Sequence, residues 1–192
     1  MPEYYLDIET SPKKERPDFG GDEILTIQYR QIDIRTGEKK GDLVILKSWE
    51  SSEEDILQKF YEVFNTDNPW AFVPVGFNLS FDYFSSLYRW REAGIKVEPK
   101  FIFSDRPNID LKPIVIMCNC GMFKGSNLGR FIGKKDSGLK VSEWCKAGNY
   151  DSAVEYIQDE AERFIKFYRY LIEKMPEVWQ EFAKANGIDQ DN

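Results

Sequence analysis

The sequence predicts an α/β fold, a mixed β-sheet of an antiparallel meander plus parallel strands, with helices on both faces. Three observations support this prediction. The first quarter of the 192 residues contains three stretches that are rich in β-forming residues and separated by turns. A helix, a strand and a second helix then follow one another, which is typical of α/β crossovers. The last quarter of the chain is a long amphipathic helix followed by a tail.

The predicted strands are short. Residues 3–8 are rich in β-forming side chains, and residues 23–33 alternate with the period of two that a half-buried strand requires. A polar Pro/Gly loop separates these two strands, and a Gly-containing turn leads to a third strand over residues 42–47. Residues 70–77 form a fourth, apolar strand. We expect residues 3–8 at the centre of the sheet, between strands 23–33 and 70–77.

Four helices are predicted. The first follows the serine cap Ser51-Ser52, and the others cover residues 81–93, 150–174 and 177–185. Pro176 is predicted to start the last of them. The Gly- and Lys-rich residues 121–148 are predicted to be loops with room for a short helix, and short apolar pieces occur at 101–103 and 114–118. We therefore assign residues 1–175 to one domain and residues 176–192 to a C-terminal helical tail.

The composition excludes several classes of enzyme. The chain contains no histidine, which excludes Ser-His and Cys-His catalysis and histidine-ligated zinc. The three cysteines, Cys118, Cys120 and Cys145, lack zinc-site spacing and are expected to be buried free thiols in a reducing cytoplasm. No apolar run approaches the ~20 residues of a membrane span, and no signal peptide is expected, so we predict a cytoplasmic protein without a membrane partner.

The net charge of −7 argues against a protein that coats duplex nucleic acid, although a local basic strip could still bind nucleic acid. Residues 121–148 hold six basic and two acidic side chains, and Lys134 and Lys135 are adjacent within them. This segment is either a solvated loop or a strip that contacts phosphates.

Two carboxylates occur on the first strand, at Asp7 and Glu9. Positions two apart on a strand face the same side, so both carboxylates project away from Leu6 and Ile8. Their repulsion would be relieved by a divalent cation, and oxygen ligands favour Mg²⁺ or Mn²⁺. The alternative is a strand end whose acidic residues face water.

A second group of polar residues follows the fourth strand, at the start of a predicted helix. Asp82 falls in the first helical turn, where the helix dipole stabilises a carboxylate. Asn78 lies at the strand exit, where ligands commonly bind in α/β sheets. The alternative is helix capping by Asn78 or Ser80.

The long helix carries a third group. Its apolar stripe runs from Ile157 to Ile172, and Glu160 lies at the margin of that stripe, one turn after Tyr156. Asp159 points away from the stripe, towards solvent. The helix therefore presents Glu160 and Tyr156 to a groove, unless it is an ordinary amphipathic helix with an acidic outer face.

In this order the three groups resemble motifs I, II and III of the DEDD 3′–5′ exonucleases of the ribonuclease-H-like superfamily, and in particular the exonuclease domains of family-B DNA polymerases. The matching residues are D-x-E at Asp7 and Glu9, N-x-x-x-D at Asn78 and Asp82, and the tyrosine branch of motif III at Tyr156. The chain departs from the pattern at Glu160, where the family has aspartate. The resemblance spans residues 3 to about 172.

The resemblance implies a ribonuclease-H-like fold and a two-metal-ion hydrolysis of phosphodiester bonds. Asp7 would bridge both cations, Glu9 and Glu160 would hold the cation that carries the attacking water, and Asp82 would act through water on the other cation. Tyr156 would orient the attacking water. The implied substrate contacts are Thr10, Asn78, Phe81, Lys134 and Lys135.

The expected activity is thus a metal-dependent 3′–5′ exonuclease that acts on single-stranded DNA or RNA 3′ ends with two Mg²⁺ or Mn²⁺ ions. The alternative is an exonuclease-like module that binds nucleic acid or a protein partner and has weak or no turnover. The departure at Glu160 and the acidic net charge favour the alternative, whereas the four matching residues Asp7, Glu9, Asp82 and Tyr156 favour the enzyme.

Overall fold

The computed structural model describes residues 1–13, 21–97, 106–134 and 136–188. Within these residues the strands are β1 Glu3–Ser11, β2 Glu23–Ile32, β3 Lys39–Lys47, β4 Val73–Gly76 and β5 Ile109–Asp110. The α-helices are α1 Glu53–Phe64, α2 Leu79–Glu92, α3 Lys112–Cys118, α4 Leu128–Ile132, α5 Leu139–Lys146 and α6 Tyr150–Ala185. The predicted apolar piece at 101–103 and the predicted substrate contact Lys135 lie outside the described residues.

The strands form one mixed sheet in the order β3-β2-β1-β4-β5. Strands β1, β2 and β3 pair antiparallel, whereas β4 pairs parallel with both β1 and β5. The prediction that the first strand is central, between the second strand and the strand near residue 75, is confirmed. This position allows β1 to present its side chains to helices on both faces of the sheet.

Alternation along β1 divides the core between the two faces. Leu6 and Ile8 pack with α1 and α2 in one apolar cluster. Tyr5 packs on the other face, in a cluster with Phe164 and other residues of α6. Because each buried apolar side chain contributes about 1.5–3 kcal/mol, this pattern fixes which residues of β1 can face α6. Asp7 and Glu9 have the same parity as Tyr5 and therefore lie on the α6 face.

The C-terminal part differs from the prediction. Pro176 does not start a new helix, because α6 runs without a break from Tyr150 to Ala185 with Pro176 inside it. The ammonium of Lys174 donates to both carboxylate oxygens of Glu177, 3.1 Å away, and so bridges the turn around Pro176. An exposed helix end can leave the carbonyl that Pro176 orphans to water, which reduces the cost of a proline inside the helix.

The short helices, the cysteines and the length of the apolar helices can also be compared with the predictions. Residues 121–148 contain two short helices, α4 and α5, where one was expected. The cysteines are free thiols as predicted, but Cys118 and Cys120 are exposed rather than buried because they lie at and just beyond the end of the short helix α3. Among the described residues, no helix is both long and apolar enough to cross a bilayer.

Candidate metal centre

Three carboxylates meet where β1 faces α6. Asp7 and Glu9 come from β1 and Glu160 comes from α6, and one oxygen from each lies within 4.8 Å of the others. Glu9 and Glu160 are buried, and Asp7 is half-buried. Metal–oxygen bonds of 2.0–2.6 Å allow two ligands of one ion to be up to about 5 Å apart, so the three side chains can share a divalent cation. The donor set therefore fits Mg²⁺ or Mn²⁺.

Burial and repulsion between like charges raise the pKa values of Asp7 and Glu9 in this cluster. Burial and the neighbouring Glu160 carboxylate raise the pKa of Asp7 to about 7. Burial, followed by the charges of Asp7 and Glu160, raises the pKa of Glu9 well above its usual value. In the absence of a cation, each of these two carboxylates is therefore more easily protonated than in water.

One internal cation already lies among the carboxylates. The Lys134 ammonium forms an ion pair with Glu160 and lies 4.5 Å from the centroid of the Tyr156 ring. Its side chain is only 11% exposed, and its charge lowers the pKa values of both Asp7 and Glu9. The sequence had predicted Lys134 as a substrate contact in a basic strip, and the structure places it directly on the carboxylate cluster.

The motif III helix has the orientation that its apolar stripe predicted. Glu160 is 5% exposed and faces the other two carboxylates. Asp159 is exposed and accepts a 2.6 Å hydrogen bond from Arg163 on the outside of the helix. The difference of about 100° per residue therefore decides which of the two acidic neighbours enters the cluster.

Tyr156 lies beside the cluster with a hydroxyl that has no hydrogen-bond partner among the described residues, although it is buried. Burial and the nearby Glu160 charge raise the pKa of this phenol, so the hydroxyl keeps its proton. A buried hydroxyl without a partner costs free energy. The arrangement therefore leaves one donor free for a ligand in the groove.

Asp82 lies outside the group of three carboxylates. It is buried in the first turn of α2, as predicted, and burial followed by the charge of Asp7 raises its pKa well above the usual value. A hydrogen bond with the Ile8 backbone partly offsets that rise. Asp82 is thus close enough to interact with Asp7 but does not share the same ligand position.

Asn78 has a left-handed backbone conformation with φ of 64° and makes no side-chain capping bond. The backbone N–H groups of Asn78 and Leu79 instead donate to the Asp110 carboxylate at 2.8 and 3.0 Å. The Asn78 side-chain oxygen accepts from Lys112 at 2.6 Å. Asp110 and Lys112 therefore hold the start of α2, a role that no local sequence pattern indicates because the bonded residues are 31 or more positions apart.

The other two predicted substrate contacts flank the cluster. Thr10 is buried directly after Glu9, where the register of β1 against β2 shifts by one residue. Phe81 is half-buried in the first turn of α2, next to Asp82. Neither side chain is placed among the three carboxylates.

A buried polar chain on β2 supports Asp7 and was missed by the sequence analysis. Gln28 lies opposite Asp7 in the strand register and donates to its carboxylate at 2.7 Å. Thr26 in turn donates to the Gln28 side-chain oxygen at 2.9 Å, and both residues are fully buried. The available signal was two polar residues, two positions apart, within a strand predicted to be half-buried.

Gly138 makes a close approach to Glu9 that a larger residue would prevent. A Cβ atom at position 138 would lie 2.6 Å from a carboxylate oxygen of Glu9. The glycine immediately precedes α5, so it allows the start of that helix to pack against the cluster.

The cluster makes stability depend on pH. The unfolded chain ionises Asp7 near pH 4, whereas the folded chain does so near pH 7. Between these values the native state holds more protons, so the free energy of unfolding falls as pH rises from about 4 to 7. We expect the cation-free protein to melt at a lower temperature at pH 8 than at pH 5.5, and the gap to shrink in Asp7→Asn. The exposed Asp42→Asn, measured alongside by calorimetry, should keep the full gap. An equal gap in both variants would contradict this prediction.

No protein-family model matches the chain, and no curated protein matches it. Solved structures do share its fold. The chain superposes on the family B DNA polymerase of the hyperthermophilic archaeon Pyrobaculum calidifontis with a TM-score of 0.63 and 18% identity, covering 91% of this chain and 24% of that one. It superposes on E. coli Exonuclease I in complex with a dT13 oligonucleotide with a TM-score of 0.64 and 10% identity, covering 94% of this chain and 43% of that one.

These likenesses show that the chain has the predicted ribonuclease-H-like α/β fold. The chain spans about a quarter of the polymerase and less than half of Exonuclease I.

Proposed function

We propose that this chain is a metal-dependent 3′–5′ exonuclease that hydrolyses phosphodiester bonds at single-stranded nucleic-acid 3′ ends. One observation carries the proposal. A ribonuclease-H-like sheet and its long helix bring Asp7, Glu9 and Glu160 within 4.8 Å of one another, with the free hydroxyl of Tyr156 beside them. Oxygen ligands of this kind bind hard divalent cations.

The side chains have separable roles in this proposal. Asp7, Glu9 and Glu160 would hold two Mg²⁺ or Mn²⁺ ions, and Asp82 would act through water. When bound, the cations lower the pKa of the attacking water and stabilise the charge that develops on the phosphate. Gln28 keeps the Asp7 carboxylate in place through the 2.7 Å hydrogen bond. Tyr156 keeps its proton and would orient the attacking water through a hydrogen bond from its hydroxyl.

The substrate side of the site follows from the same placement. Thr10 follows Glu9 on β1, and Asn78 and Phe81 lie at the start of α2, the helix that carries Asp82. These three residues are proposed to contact the terminal nucleotide. Lys134 pairs with Glu160 in the cation-free protein and would be available to pair with a phosphate when cations hold that carboxylate. Lys135 keeps its proposed role as a phosphate contact.

A digestion assay tests the proposal. DNA and RNA oligonucleotides labelled at the 3′ or the 5′ end are incubated with the protein and Mg²⁺ or Mn²⁺, and Asp7→Ala serves as the control. We expect a 5′-labelled strand to shorten one nucleotide at a time and a 3′ label to be released first. The absence of any cation-dependent digestion, with DNA and with RNA, would contradict the proposal.

The second candidate is a module with this fold that binds nucleic acid but does not cleave it. The observation that favours it is the Lys134–Glu160 ion pair, because an ammonium held at the ligand position competes with a cation. Binding of oligonucleotides without digestion, together with no change of melting temperature in Mn²⁺, would support this candidate.

Tyr156 provides a prediction that separates a catalytic role from a structural one. We expect Tyr156→Phe to lower kcat about tenfold, the equivalent of one lost hydrogen bond of ~1.4 kcal/mol. The melting temperature should change little, because the hydroxyl makes no hydrogen bond of normal geometry with the described residues. Tyr150→Phe on the same helix, whose ring stacks on Trp49, is the matched control and should retain full activity. A Tyr156→Phe protein with unchanged kcat would show that the hydroxyl plays no part in turnover.

A further inference from the structure

The face of α6 that carries Tyr156 and Glu160 continues well beyond the carboxylate cluster. Residues spaced alternately by four and three positions lie on one side of a helix, and the series here is Tyr156, Glu160, Arg163, Phe167 and Tyr170. At about 100° per residue these five fall within an arc of about 80°. One face of α6 therefore changes from acidic to basic and aromatic as it leaves the cluster.

This extension forms an open groove where α4 packs against α6. The groove has a volume of about 350 Å³ and is lined by Phe131, Ile132, Arg163, Lys166, Phe167 and Tyr170. We call it the aromatic groove. Its aromatic rings are accessible, since Tyr170 is 56% exposed and Phe131 and Phe167 are half-buried. The Phe131 and Phe167 ring centroids are 6.4 Å apart.

The charges of the aromatic groove are positive, in contrast to the chain as a whole. None of its lining residues is acidic. The side chain of Lys166 makes no ion pair within the described part of the chain. The nearby Glu162 is engaged away from the groove, by Arg30 and Lys39. A basic and aromatic surface of this kind binds the phosphates and bases of a single strand.

The aromatic groove is also connected to the candidate site. Arg163 lines it and equally lines a second groove of about 380 Å³. That second groove includes Lys134 and Tyr156, and also the acidic residues Asp136, Glu155 and Asp159. Arg163 is held between the two by hydrogen bonds to Asp159 and to the Gly133 carbonyl. The two grooves therefore meet at Arg163, and a ligand can run from Lys134 and Tyr156, beside the carboxylate cluster, to Tyr170.

We propose that the aromatic groove binds the nucleotides that lie 5′ of the bond being cleaved. This inference rests on the proposed function, because only one nucleotide lies on the 3′ side of that bond in a 3′–5′ exonuclease. From Tyr156 to Tyr170 the helix rises about 21 Å. That length corresponds to about six nucleotides at the 3.4 Å spacing of a stacked strand, and to fewer in an extended one. Phe131, Phe167 and Tyr170 stack on bases of any sequence, and Lys166 and Arg163 contact phosphates.

Binding of oligonucleotides without a divalent cation tests the aromatic groove independently of turnover. Fluorescence anisotropy in EDTA measures the Kd of 5′-labelled oligothymidylates and oligouridylates from 4 to 16 nucleotides, a range of about the size of known single-strand sites. We expect the wild-type Kd to fall with length up to about six nucleotides and little beyond. Tyr170→Ala and Lys166→Ala should each raise the Kd of the longest oligonucleotides at least about fivefold. The matched controls are Tyr88→Ala, whose ring is 40% exposed on α2, and Lys184→Ala, near the end of α6.

Three outcomes would overturn the inference. Wild-type protein that binds long oligonucleotides, with no change in Tyr170→Ala and Lys166→Ala, would remove the aromatic groove from the substrate path and leave the proposed function standing. An equal rise of the Kd in the two control variants, Tyr88→Ala and Lys184→Ala, would show a general effect of removing a surface charge or an exposed ring. No binding by wild-type protein at any length, in either series, would overturn the inference, whereas the proposed function would still be decided by the digestion assay with Mg²⁺ or Mn²⁺.

Discussion

Glu160→Gln should lower kcat at least about 100-fold, whereas Asp159→Asn should change it less than about threefold. Glutamine keeps the size of the Glu160 side chain but removes one of the three carboxylates within 4.8 Å. Loss of residues that merely support metal ligands commonly costs 10–100-fold, so loss of a ligand should cost at least as much. Asp159 is exposed and forms an ion pair with Arg163, and exposed pairs contribute about 0–1 kcal/mol.

The variants of Glu160 and Asp159 are matched controls for each other, because the two residues are adjacent and both acidic. Glu160→Asp adds a third variant, which restores the residue that the exonuclease pattern has at this position and should retain part of the activity. Circular dichroism and melting curves establish that each variant folds. Full activity in Glu160→Gln with loss in Asp159→Asn would mean that α6 distorts locally in the active protein. Equal, small effects of both would mean that α6 supplies no ligand.

The part of the site that could be predicted from sequence is the part set by local periodicity. Alternation along β1 placed Asp7 and Glu9 on one face, opposite the buried Leu6 and Ile8. The apolar stripe of α6 placed Glu160 inward and Asp159 outward, because a rotation that exchanged them would expose much of that stripe. These are consequences of periods of 2.0 and 3.6 residues.

What could not be predicted depends on contacts between distant segments. Gln28 reaches Asp7 across 21 residues, and Lys134 reaches Glu160 across 26. Asp110 binds the start of α2 in place of the Asn78 side chain that sequence rules favour. The helix break expected at Pro176 does not occur. There the local rule that proline interrupts a helix was outweighed by the exposed position of the helix and the Lys174–Glu177 ion pair.

The Lys134 ammonium leads to the second large expected effect, on stability rather than on turnover. In the cation-free protein it is the positive charge that lies against Glu160 and lowers the pKa values of Asp7 and Glu9. Breaking a buried ion pair by removing one partner commonly costs about 3–5 kcal/mol, because the remaining charge stays buried. Protonation of the carboxylates offsets part of that cost in this cluster.

We therefore expect Lys134→Met to lower the melting temperature of the cation-free protein at pH 8 by about 5–15 °C, at roughly 2–4 °C per kcal/mol for a chain of this size. The loss should be smaller at pH 5.5, which is below the pKa of about 7 of Asp7, so that this carboxyl holds a proton. Saturating Mn²⁺ should return most of the lost stability, since the cation replaces the missing ammonium and stabilises the folded state by mass action. The Mn²⁺-induced rise in melting temperature should thus be larger in Lys134→Met than in wild type.

Lys140→Met is the control for this prediction, because Lys140 comes from the same basic segment but forms an exposed pair with Glu143. Differential scanning calorimetry measures the melting temperature of each variant at pH 5.5 and pH 8, with and without Mn²⁺. A similar loss in the two variants would show that Lys134 acts only as a surface charge. A loss in Lys134→Met that Mn²⁺ does not restore would show that the ammonium and the cation do not share one set of carboxylates. Restoration by Mn²⁺ in Lys134→Met alone would place the ammonium and the cation at the same three side chains, Asp7, Glu9 and Glu160.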